Sequence, residues 1–125
     1  MTQIIVVDDD LTNVSLTKML LEMDGFDVIA CTNLAQAEAA SNLETKAYVV
    51  DVNLARNESG MDLLQMVRNG ETAASSNTVV VITSGDYRRE QEALDKGANR
   101  FLLKPYPPDQ LPEILRTLIE GNKHD

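Results

Sequence analysis

Ile4-Ile5-Val6-Val7-Asp8-Asp9-Asp10 takes the chain from four apolar residues straight into three carboxylates. A short run that is apolar at every position, and not at every second one, suits a strand covered on both faces. Three similar runs follow. Ala47-Tyr48-Val49-Val50 ends in Asp51, Val79-Val80-Val81-Ile82 in Thr83-Ser84, and Phe101-Leu102-Leu103 in Lys104-Pro105. In a parallel sheet the carboxyl ends of the strands lie along one edge, so these terminal residues converge on one place. Each of them is able to hold a metal, a phosphoryl group or its charge.

Strand-like and helix-like patterns alternate about five times, with no internal repeat. Residues 3–8 read as the first strand. Leu16, Met19, Leu20 and Met23, spaced i, i+3, i+4, i+7, give a first helix one apolar stripe, and Gly25 stands where a left-handed cap belongs. Residues 26–31 read as a more exposed second strand, 34–43 as a modest helix and 47–52 as the third strand. A loop with Arg56, Asn57 and Glu58 leads to a helix over about 59–68, with Met61, Leu64 and Val67 in the core. A loop over 69–77 precedes the fourth strand, 78–83; a helix over 87–96 is stopped by Gly97, and the fifth strand is 100–103. Pro107-Pro108 opens the last helix, whose buried face is Leu111, Ile114, Leu115 and Leu118. The expected class is α/β: a single doubly wound, five-stranded parallel sheet with helices on both faces. The flavodoxin-like order 2-1-3-4-5 is preferred. It opens its crevice between strands one and three, the two that end in Asp8-Asp9 and Asp51.

The 125 residues suit one domain, and an apolar share of 43% with a charged share of 25% is that of a globular protein. We read residues 1–121 as the domain and 122–125 as a polar tail or the start of a linker. No apolar run approaches the roughly 20 residues that span a bilayer, so no membrane role is expected. The N-terminus lacks the basic and apolar regions of a secretory signal, and Cys31 is the one cysteine. Both point to the cytoplasm. Twenty acidic against eleven basic residues give a net charge of −9, which repels phosphate backbones and argues against direct nucleic-acid binding.

Asp8, Asp9 and Asp51 brought together in a partly desolvated crevice repel one another and call for a proton or a cation. Magnesium, or manganese in its place, suits an all-oxygen site of this kind. Ligands for a softer metal are missing, since Cys31 is isolated and His124 lies in the tail. A cation beside a carboxylate, with a lysine and a hydroxyl across from it, is an arrangement for phosphoryl transfer to that carboxylate. Asp51 would be the nucleophile, Lys104 would neutralise the transferring oxygens, and Thr83 would donate a hydrogen bond to one of them. Taken singly, each has a plainer reading. Asp10 is best read as a helix cap; Asp8-Asp9 also suit capping, Thr83 a strand end, and Lys104 the solvated surface. Joint occurrence at four strand ends is what favours a site.

On these motifs the whole chain resembles the receiver domain of bacterial two-component response regulators. Val6-Val7-Asp8-Asp9-Asp10 is similar to the family's acidic pocket, Asp51 to its phospho-acceptor, Thr83 to its hydroxyl position and Lys104-Pro105 to its lysine–proline pair. The resemblance implies that Asp9 and Asp51 bind magnesium directly, the Asn53 carbonyl adds a third ligand, and Asp8 acts through water. It implies a cis peptide before Pro105, and a switch in which Thr83 moves toward the phosphoryl group while Phe101 turns inward. The implied partners are a histidine kinase or histidine phosphotransfer protein as donor, and a downstream protein or output domain. The implied output face is the fourth helix, fifth strand and fifth helix, about residues 86–118. Such a domain is a regulatory switch that catalyses its own phosphorylation and dephosphorylation, not a metabolic enzyme.

Some positions depart from the pattern. Leu54-Ala55 replaces the usual Met-Pro, the stretch 51–60 is about one residue longer, and Ser84 stands where alanine or glycine is commoner. Asn53 and Gly85 hold the positions that tune phosphoryl lifetime. A degenerate receiver that binds partners without being phosphorylated is the alternative. A dehalogenase-type phosphatase would need an aspartate where Asn53 stands, and a flavodoxin would need a phosphate-binding loop where this chain has three aspartates.

Overall fold

The computed structural model describes residues 2–122, so the tail read over 122–125, His124 included, lies outside the described residues except for Asn122. Five strands alternate with five α-helices. They are β1 (Gln3–Val7), α1 (Leu11–Met23), β2 (Asp27–Cys31), α2 (Leu34–Ala40), β3 (Thr45–Asp51), α3 (Gly60–Arg68), β4 (Val79–Ser84), α4 (Glu90–Asp95), β5 (Arg100–Leu103) and α5 (Leu111–Gly121). All pairings within the sheet are parallel and the order is β2-β1-β3-β4-β5, the one preferred from the sequence. No helix among the described residues is long and apolar enough to cross a membrane.

The runs of β-branched residues explain the central strands, since their side chains pack well on both faces of a pleated surface. Alternate residues divide between two layers. Ile5, Val7, Tyr48, Val50, Val80 and Ile82 meet α2, α3 and α4 through Ala37, Leu63, Leu64 and Ala93. Ile4, Val6, Val49, Val79 and Val81 meet α1 and α5 through Val14, Leu21, Leu111 and Leu115. Tyr48 is fully buried, yet its hydroxyl is paired. It donates to Ser41 Oγ at 2.6 Å, because that serine's own proton goes to the Ala37 carbonyl at 2.8 Å.

Asp10 caps α1, its Oδ1 accepting from the backbone N–H of Thr12 at 2.9 Å and of Asn13 at 3.2 Å. Gly25, at φ +94°, closes that helix, with the Phe26 N–H returning to the Leu21 carbonyl at 3.1 Å. The face of α1 corrects the sequence reading. Its buried residues are Val14 and Leu21, while Leu16, Met19 and Met23 are 43%, 51% and 78% exposed. The apolar stripe exists, but most of it faces solvent. In the fourth helical segment, a 3₁₀ turn over Tyr87–Arg89 precedes only six α-helical residues.

Candidate functional site

The register delivers the site. Val7 pairs with Val50, so Asp8 emerges beside Asp51. Asp51 pairs directly with Thr83, and Ser84 with Leu103, which places Lys104 one residue beyond the edge. Carboxylate oxygens of Asp8, Asp9 and Asp51 lie within 4.8 Å of one another. Lys104 Nζ donates to Asp51 Oδ2 at 2.8 Å and to Asp8 Oδ2 at 3.3 Å. The other oxygens of the two acids accept from backbone: Asp8 Oδ1 from Asp10 N–H at 3.0 Å, and Asp51 Oδ1 from Asn53 N–H at 3.2 Å. The Lys104 N–H is tied to the Ser84 carbonyl at 2.8 Å, and the Lys104–Pro105 peptide is cis.

Burial pushes the Asp51 carboxyl above its ordinary range, and Lys104 with the Asn53 N–H pulls it back only in part. For Lys104 burial acts downward, but the hydrogen bond and charge of Asp51, with Asp8 behind them, outweigh it and hold the ammonium firmly protonated. One cation thus faces three clustered carboxylates. The donor set is all oxygen, with no histidine or cysteine in the cluster among the described residues, and so fits a hard divalent ion.

Thr83 is buried beside Asp51, and Phe101 is buried with Ile82, Ala93 and Ala98 in one layer of the core. Ser84, where alanine or glycine is commoner, is turned into the protein. Its side chain is fully buried and its Oγ accepts from the Asp86 N–H at 3.0 Å, bracing the turn before α4. Leu54, in the place of the usual methionine, is buried in the same layer as Phe101. A cavity of about 350 Å³ lies between α1 and the segment after β5, lined by Asp8, Leu16, Thr17, Lys104 and Tyr106 among others. Tyr106, which lines this cavity, carried no signal in the sequence. A lone aromatic carries no pattern.

The family model for the response regulator receiver domain matches residues 4–116, and the chain belongs to this family of two-component signalling domains. It is 28% identical to chemotaxis protein CheY1 of Helicobacter pylori, over 96% of this chain and 98% of that protein. It is 30% identical to the transcriptional regulatory protein CpxR of Escherichia coli, over 95% of this chain but only 50% of CpxR. Among solved structures, a receiver domain protein from Clostridium thermocellum superposes with a TM-score of 0.86 at 24% identity, covering 98% of both chains. The response regulator TrrA of Thermotoga maritima, in complex with magnesium and a beryllium fluoride, superposes at 0.79 with 19% identity, over 94% of this chain and 99% of that one.

Proposed function

We propose that the chain is a phosphorylation-operated switch, with residues 1–121 as its receiver unit, that accepts a phosphoryl group on Asp51. The observation that carries this reading is the single lysine shared between Asp51 and Asp8, inside a cluster of three carboxylates. A carboxylate oxygen of Asp51 attacks phosphorus; the bond from phosphorus to the donor's imidazole nitrogen breaks, and the leaving imidazole takes a proton. Lys104 balances charge on the equatorial oxygens, and the Thr83 hydroxyl donates to one of them. Asp9, Asp51 and the Asn53 carbonyl would hold magnesium, with Asp8 assisting through water, and the bound ion would supply further neutralisation of the transferring oxygens. Water later attacks phosphorus and restores the aspartate.

The donor is a histidine kinase or histidine phosphotransfer protein. We assign its approach to the exposed stripe of Leu16, Met19 and Met23, which runs from the rim of the 350 Å³ cavity along α1. Output goes through α4, β5 and α5 to a downstream protein or domain, a reading supported by the solvent-exposed Tyr87, Leu94 and Leu103 on that side. Intact-mass spectrometry after incubation with acetyl phosphate tests the chemistry. One added phosphoryl group is expected for the wild type with magnesium, and none without magnesium or in Asp51→Asn. No addition to the wild type from acetyl phosphate or from a kinase would favour a phosphorylation-independent interaction domain instead.

A further inference from the structure

The segment between Asp51 and α3 folds as a miniature hairpin. Asn53 and Ser59 form an isolated antiparallel bridge, and the Leu54 N–H donates to the Glu58 carbonyl at 3.1 Å. The Glu58 N–H closes the tip onto the Ala55 carbonyl at 3.2 Å. Two non-glycine residues at the tip, Arg56 and Asn57, both sit at φ 60°, in the left-handed region that L side chains adopt at a cost. A turn so built needs anchoring from outside. Leu54 anchors the incoming arm by burial in the core. The outgoing arm is anchored by Glu58, whose Oε1 accepts from the Leu34 N–H, the first residue of α2, at 3.1 Å. Asn33, the cap residue of α2, takes the Gln36 N–H, so Glu58 serves a donor that the cap leaves free.

We infer that Glu58 is a positioning residue for the metal site: by clamping the hairpin to α2 it fixes the backbone at Asn53 beside Asp51. This rests on the proposed metal reading and deepens it. The Asn53 N–H already braces Asp51 Oδ1, and the Asn53 carbonyl belongs to the strand arm that Glu58 holds in register. The clamp is reciprocal. Filling the metal site stiffens the hairpin and thereby holds the Glu58 carboxylate on Leu34, so magnesium should slow exchange of an amide on a helix that supplies no ligand.

The test is calorimetric titration of magnesium into the purified wild type, Glu58→Ala and Glu58→Gln, with hydrogen exchange at the Leu34 amide. Glu58→Ala is expected to weaken magnesium on the order of tenfold, the low end for losing a partner just outside a metal's ligands. Glu58→Gln keeps a carbonyl acceptor and is expected to bind within about twofold of wild type, since the hydrogen bond and not the charge does the work. Equal affinity in Glu58→Ala and wild type overturns the clamp, as does a Glu58→Gln as weak as Glu58→Ala, which would make it a long-range charge effect. Wild-type exchange at Leu34 that ignores magnesium also overturns it and needs no variant to fold. If the wild type binds no magnesium at all, the metal reading itself fails and the clamp with it; binding by the wild type separates the two.

Discussion

Gly60 stands so close to β3 that a Cβ there would lie 2.3 Å from the Asp51 carbonyl oxygen and 2.7 Å from Val50 Cγ1. Both neighbours are held, one by the sheet and one by the core, so neither yields. Gly60→Ala is therefore expected to cost about 1–3 kcal/mol, as overpacking does, read from the urea midpoint, and to slow phosphoryl uptake because the strand that moves carries Asp51. Lys104→Ala acts on charge instead. It is expected to weaken the phosphorylation-dependent change more than magnesium affinity, and equal losses of both would contradict the role given to this lysine. The acidic residues and Lys104 were legible in the sequence because each follows an apolar run, and parallel strands bring such endings together. Gly60 and Glu58 were not. Their importance comes from which backbone each one touches, and nothing in local spacing encodes that.

At the scale of elements, α1 shows where periodicity misleads. Its sequence offers two apolar spacings, Val14 with Leu21 and the longer series Leu16, Met19, Leu20, Met23, and the fuller one is largely the exposed one. A helix apolar on more than one side leaves the sheet to choose, and the sheet chose the pair that fits beneath β1 and β2. The unburied methionines offer flexible, polarisable contacts of the kind used at binding surfaces. A double variant, Met19→Gln with Met23→Gln, is expected to change stability by less than about 0.5 kcal/mol per site and to leave uptake from acetyl phosphate intact. Transfer from the protein donor should slow, which stopped-flow or gel-based transfer assays would read. The hairpin after β3 was legible only as an extra residue. Its two left-handed positions fall on Arg56 and Asn57, and arginine in particular gives no hint of such a conformation.

For the whole molecule the class and site edge followed from four apolar runs, because strands buried on both faces admit few arrangements once crossovers are right-handed; the strand order was a preference among those few, and the sheet has it. The site is assembled from the ends of β1, β3, β4 and β5, and no two of these strands are joined by a hairpin. That has a kinetic consequence. Residue 7 must find residue 50 across a crossover that holds β2 and two helices, so the three carboxylates meet only once that long loop has closed. Magnesium should then find no binding site in the folding transition state. In a chevron plot it is expected to lower the unfolding arm and leave the folding arm where it was, with a stability gain of about 1.4 kcal/mol at ten times its dissociation constant. The ion would act as a latch on the finished fold, governing how long the molecule stays folded and not how fast it gets there.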